Sequence, residues 1–202
     1  FTTGGNLTFI GYKAGESSTD TINTVVIGAD AGRDGDLGDY SVYIGNYSGV
    51  SATGASNTLV GYNTGGRLSS GMSNTYMGSS AGTGNHTGTG NVYLGYESGK
   101  GVNDNANTSN VGVGYRALYG ITTGGSNTVM GYEAGDAITT GHNNVMIGRS
   151  AGTATTDVGY AVIIGNNAGI DSLDSDADGL VAIGANAGRE LTSGQRNTFL
   201  GY

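Results

Sequence analysis

The chain has no cysteine, proline or tryptophan in 202 residues. Without cysteine there is neither a disulfide framework nor a thiolate metal site. Basic residues are scarce: 8 Lys and Arg stand against 16 Asp and Glu, for a net charge of -8 and a pI near 4.4. Such a surface repels phosphate backbones, so nucleic acid is not an expected partner. The longest apolar runs are only a few residues, far below the roughly 20 that a membrane-spanning helix requires. The segment is therefore not expected to insert into a membrane. What the chain has in excess is glycine, 41 residues, against a usual share of about 7%. Glycine does not recur at every third position, which excludes a collagen helix. Regular apolar positions argue against disorder.

Those positions form one repeat. A glycine follows a large aliphatic residue or Met at Gly11, Gly28, Gly45, Gly61, Gly78, Gly95, Gly114, Gly131, Gly148, Gly165, Gly184 and Gly201. Successive gaps are 17, 17, 16, 17, 17, 19, 17, 17, 17, 19 and 17 residues. A fixed short period denotes stacked units that contact mainly their neighbours. With no helical periodicity, the chain is expected to be all-β: a parallel β-solenoid, or β-roll, of about twelve turns of about 17 residues. It reads as a single repetitive domain over 1–202, a rod roughly 55 Å long. Phe1-Thr2-Thr3-Gly4-Gly5 resembles the internal Ile121-Thr122-Thr123-Gly124-Gly125, and Gly201-Tyr202 stops short of the Ala-Gly that closes most units. Both ends therefore read as uncapped cuts through a repeat, as in a segment of a longer fibre or a stacking subunit.

Counting from the marker glycine, position -1 is Ile, Val, Leu or Met in every unit, and -3 is always Val or Thr, from Thr8 to Thr198. Position +3 is small in all eleven units that have one, and +4 is glycine except at Leu118. Strand alternation then suggests that -3, -1 and +3 line a thin interior while -2 faces out. On that reading Phe9, Val26, Tyr43, Leu59, Tyr76, Tyr93, Val129, Met146, Ile163 and Phe199 form an outer apolar stripe for self-association. An inward Thr/Val column would also leave no regular threonine lattice for ice. Position -4 is Asn57, Asn74, Asn91, Asn110, Asn127, Asn144 and Asn197 in seven units. Stacked asparagines can bond one another and turn backbone; a ligand-binding ladder is the alternative.

Position +1 carries Tyr12, Tyr62, Tyr96, Tyr115, Tyr132 and Tyr202. Aromatic rows pack across strands, and the same rings suit contact with surface glycans. Asp174-Ser175-Asp176-Ala177-Asp178-Gly179 matches the start of a calcium loop, making Asp174, Asp176 and Asp178 candidate ligands and calcium the one cofactor suggested. The twelfth position is Ala185 rather than Glu, and a solvated acidic loop is the competing reading. His86 and His142 belong to no nucleophile or metal motif, so no catalytic residues and no enzymatic activity are expected. Asn6, Asn46, Asn85 and Asn107 each begin an Asn-x-Ser/Thr sequon.

Ser126-Asn127-Thr128-Val129-Met130-Gly131-Tyr132-Glu133-Ala134-Gly135 resembles the Asn-Thr-x-x-Gly-Tyr-x-Ala-Gly repeats of phage tail fibres and large bacterial surface proteins. More distantly, Thr24-Val25-Val26-Ile27-Gly28-Ala29-Asp30-Ala31 is similar to head repeats of trimeric autotransporter adhesins of the YadA type. The resemblance covers essentially the whole chain. It implies a left-handed roll, a homotrimer, and a place on a cell surface or virion fibre. The expectation is an extracellular structural and adhesive fibre segment that is its own partner, as a homotrimer or an end-to-end filament. The alternatives are a polymerising filament subunit and a tail-fibre shaft that binds a receptor or depolymerises glycans.

Overall fold

The computed structural model describes residues 4–102, 104–170, 177–191 and 194–202. Each unit contributes one three-residue strand: β1 Thr8–Ile10, β2 Val25–Ile27, β3 Val42–Ile44, β4 Thr58–Val60, β5 Thr75–Met77, β6 Val92–Leu94, β7 Val111–Val113, β8 Thr128–Met130, β9 Val145–Ile147, β10 Val162–Ile164, β11 Val181–Ile183 and β12 Thr198–Leu200. All twelve form one sheet in sequence order. Each pair is parallel and in register, so Thr8, Phe9 and Ile10 face Val25, Val26 and Ile27. The same positions pair across the 16-residue gap at β3–β4 and the 19-residue gap at β6–β7. The expected β-solenoid is therefore the fold, with length differences absorbed in the connections.

The marker glycine ends each strand. Gly131 sits at φ 142, and a Cβ there would lie 2.3 Å from the carbonyl oxygen of Gly148 in the next turn. Backbone conformation and close stacking both require glycine. The chain then enters a corner whose amides stay within the ladder. Gly15 N donates to Ala31 O at 3.0 Å, and Gly32 N to Ser48 O at 2.9 Å. These bonds satisfy backbone that three-residue strands alone would leave unpaired.

The strand faces the opposite way from the alternation reading. Position -2 points inward: Val26, Tyr43, Leu59, Tyr76, Tyr93, Val129, Met146 and Ile163 are fully buried, and Phe9 packs against the same core. Phe199 belongs to the same column in β12, which has a neighbour on one side only. These residues are the core and cannot serve as a self-association stripe. Positions -3 and -1 face outward, while +3 is inward as expected; Ala31, Ser48, Thr64 and Ala81 are buried. The physical reason lies in the corner. Alternation does not run through the bend at the marker glycine, so the small +3 residue says nothing about which way -1 points. The outward Thr/Val column holds threonine at only five of twelve positions and adjoins side chains of unequal length, so it presents no regular hydroxyl lattice.

The inward orientation of -2 also explains the second glycine. A Cβ on Gly82 would lie 2.4 Å from the Tyr76 ring, and one on Gly152 would lie 2.5 Å from Met146 Sδ. One unit inverts this arrangement. Its -2 residue is Gly112 and its +4 residue is Leu118, fully buried at φ 55. The leucine fills the interior that a large -2 side chain occupies elsewhere, accepting a left-handed conformation that non-glycine residues take rarely.

The -4 asparagines form a buried, satisfied ladder, as their structural reading anticipated. Asn57 Oδ1 accepts from Asn74 N at 2.9 Å and from Asn74 Nδ2 at 3.1 Å, and Asn74 Nδ2 also donates to Gly88 O at 2.9 Å. The pattern repeats through Asn91, Asn110, Asn127 and Asn144. It ends where Ala161 N donates to Asn144 Oδ1 at 2.9 Å. Asn197 stands apart and is only half-buried, donating to Gly194 O at 2.7 Å. Each such bond contributes about 1 kcal/mol net, and an orphaned partner costs about 1–3 kcal/mol.

Candidate functional site

The reversal of the strand brings a different set of residues to the surface. The outer face of the sheet carries the Val/Thr column, the aliphatic -1 column and, just past the marker glycine, the +1 column. Met77 is 46% exposed, Met130 41%, Ile147 37% and Ile183 38%. Elsewhere on a folded chain such residues occur singly; here they stand in register across one face. The signal for this stripe was in the sequence, since -1 is aliphatic or Met in all twelve units. Alternation with the small +3 residue places this column inside, a reading that the bend at the marker glycine overturns.

Beside this stripe run the tyrosines. Tyr96 and Tyr115 stack with centroids 5.3 Å apart at 14°, and Tyr115 and Tyr132 at 5.0 Å and 7°. All three remain substantially exposed. Tyr12 and Tyr62 are more exposed still; Lys13 Nζ lies 5.8 Å from the Tyr12 centroid, and Tyr62 meets Tyr47 edge to face at 6.2 Å. The stacking divides the row: the faces of Tyr115 are covered by its neighbours, while Tyr96 and Tyr132 each keep one face free.

A strip of alternating charge flanks the stacked run. Lys100 Nζ donates to Glu97 Oε1 at 2.5 Å, Arg116 Nε lies 3.6 Å from Glu97, and Arg116 Nη1 lies 3.7 Å from Glu133. The Arg116 guanidinium also sits 3.8 Å from the Tyr119 centroid. The hydrogen bond to Glu97 raises the Lys100 pKa, so this lysine remains charged. The Glu133 charge raises the Tyr132 phenol, and burial raises the Asp136 carboxyl. The strip is a clamped ionic network rather than a set of free acids and bases.

The remaining candidates resolve individually. Asp174 and Asp176 lie outside the described residues. Asp178 Oδ1 accepts from Gly159 N at 2.6 Å, a turn-bracing role. Among the described residues, no group of three or more His, Asp or Glu side chains could hold a metal ion. His86 Nδ1 lies 3.1 Å from Arg67 O and Nε2 lies 3.3 Å from Ser69 Oγ, while His142 packs edge to face on Tyr160. The Ser69 hydroxyl donates to His86 O at 3.1 Å, and Asp104 Oδ1 lies 3.8 Å from His86 Nδ1. The sequon asparagines Asn85 and Asn107 are fully buried, and Asn85 Nδ2 donates to the Tyr76 hydroxyl at 2.6 Å. A glycan could not be attached to either without unpacking the core. Among the described residues no helix is long and apolar enough to cross a membrane. No family model, curated protein or solved structure matches the chain.

Proposed function

We propose that this chain is a non-catalytic rod segment of an extracellular fibre, which assembles with further copies of itself through the outer face of its sheet and offers its tyrosine-bearing edge for attachment. The observation that carries the reading is the outward aliphatic -1 column, continuous over twelve strands. A strip about 10 Å wide and about 53 Å long covers about 500 Å² per copy. A pair therefore buries about 1,000 Å², near the lower bound of a specific interface. The face repeats about every 4.8 Å along the rod, so its ridges and grooves match a partner of the same period, and a second copy is such a partner. The ladder of backbone and asparagine bonds supports a stiff shaft, and repetition supports attachment by many weak contacts.

Sedimentation equilibrium tests the assembly. The wild-type chain is expected to run as a homo-oligomer, and the Met130→Glu/Ile147→Glu variant, which places two charges on the outer face, as a monomer with an unchanged circular dichroism spectrum. A wild-type chain that stays monomeric at high micromolar concentration would overturn this use of the face.

A further inference from the structure

The +1 tyrosine column is interrupted at three places, and at one of them the interruption is a single residue. Tyr62 occupies it in one turn, Ser79 in the next and Tyr96 in the one after. Tyr62 and Tyr96 therefore stand two turns apart, about 10 Å along the rod, with only a serine between them. Rings in the continuous part of the column lie 5.0 and 5.3 Å apart, so the interval at Ser79 is as long as one ring inserted between two others. Tyr96 is stacked on Tyr115, away from Ser79, leaving its near face free. Tyr62 is braced by Tyr47 from the preceding turn, again on the side away from Ser79. Met77, in the same turn as Ser79 and 46% exposed, adds an adaptable apolar wall. The other free face, on Tyr132, is followed by Arg149 and then Asn166, so no second ring closes a slot there.

From this arrangement we infer a carbohydrate subsite at Ser79, in which one hexopyranose ring is held between Tyr62 and Tyr96. A ligand covered on both faces must be apolar on both faces. A pyranose with all substituents equatorial meets that condition, because its two faces carry only axial C–H groups. Its hydroxyls then radiate in the ring plane toward solvent and toward the Ser79 hydroxyl. A galacto-configured ring has an axial hydroxyl that would be buried against one tyrosine without a partner, at a desolvation cost. The ligand is therefore a gluco-configured, β-linked glycan. The inference rests on the attachment part of the proposed function and is independent of self-assembly.

Titration calorimetry with cellotetraose, and with a galacto-configured β-1,4 tetramer beside it, tests the subsite. Cellotetraose is expected to bind in the millimolar range or better and the galacto tetramer at least tenfold more weakly. Tyr62→Ala and Tyr96→Ala should each weaken cellotetraose about tenfold, and Tyr115→Ala less than twofold. Ser79→Tyr completes the column, so it should abolish binding while leaving the melting temperature unchanged or raised. The monomeric Met130→Glu/Ile147→Glu variant should bind as the wild type does, which separates failure of this site from failure of assembly. No heat with cellotetraose at millimolar concentration, or undiminished binding by Ser79→Tyr, would overturn the inference.

Discussion

Two stretches of the rod share one backbone ladder but fill it with different chemistry. From β5 to β7 the interior holds Tyr76 and Tyr93, stacked at 5.1 Å, with Asn85, Asn105 and Asn107 beside them. The Tyr76 hydroxyl accepts from Asn85 Nδ2, and the Tyr93 hydroxyl donates to Asn107 Oδ1 at 2.5 Å. From β8 to β10 the equivalent space holds Val129, Ile138, Met146 and Ile163, which require no polar partners. The comparison teaches that strand and corner hydrogen bonds, not a particular core composition, define the repeat. Each core must then be closed on its own terms: by volume in the aliphatic stretch, and by complete hydrogen bonding in the polar one.

The sharpest way to separate the two stretches is to remove one asparagine from each. Asn91 Oδ1 receives Asn110 N at 2.9 Å and Asn110 Nδ2 at 3.3 Å, whereas Asn144 Oδ1 receives Ala161 N at 2.9 Å. Asn91→Ala is expected to cost about 3–5 kcal/mol and Asn144→Ala about 2 kcal/mol, because more buried donors are orphaned in the first. Chemical denaturation, with hydrogen exchange reporting on β6 and β9 separately, would measure both. Equal losses would remove the distinction between the stretches.

The Gly112 and Leu118 exchange lies at the boundary of the two. Leu118→Gly alone should destabilise by about 2–4 kcal/mol through the cavity it leaves. Gly112→Val alone should also destabilise, since its new side chain meets the Tyr93 ring and Ser98 Oγ, each 3.0 Å from the Cβ position. The double variant restores the pattern of the other units and should recover at least 1 kcal/mol relative to the sum of the two losses. Strict additivity in melting measurements would show that the two residues do not share one volume.

Tyr93→Phe should cost about 1–2 kcal/mol, because it leaves the Asn107 Oδ1 without its phenolic donor. Met146→Leu, a volume-conserving change in the aliphatic stretch, should cost less than 1.5 kcal/mol. A Tyr93→Phe loss below that of Met146→Leu would mean that the polar interior is not held by its hydroxyls.

A further effect is pH-dependent. Burial pushes the Tyr43 phenol up to about 12 and those of Tyr76 and Tyr93 upward as well. A phenol whose pKa is higher in the folded than in the unfolded chain leaves stability intact below the unfolded value near 10. Above it the unfolded chain releases the proton first. Stability should then fall by about 1.4 kcal/mol per pH unit per buried tyrosine, for Tyr43 between about pH 10 and 12. Urea midpoints measured from pH 8 to 11 should decline for the wild type and decline less for Tyr43→Phe. A flat profile would show that these phenols ionise alike in both states.

The sequence by itself determined the period, the parallel solenoid, the small +3 residues that permit a thin interior, and the stacked asparagines. Each follows from a local rule repeated at constant spacing, and repetition makes a weak rule decisive. It also brought out both tyrosine sets and the aliphatic column, but not their sides. Within a three-residue strand, alternation says that -2 opposes -3 and -1; it does not say which is inside. That was decided by the corner, where the bend at the marker glycine breaks alternation and the +4 glycine clears space for the -2 side chain. The same tertiary geometry made Tyr76 and Tyr93 core residues, stacked Tyr96, Tyr115 and Tyr132 face to face, and left Tyr62 and Tyr96 apart across Ser79. Those relations depend on how one turn lies on the next at about 4.8 Å, a distance that residue order within a turn does not contain.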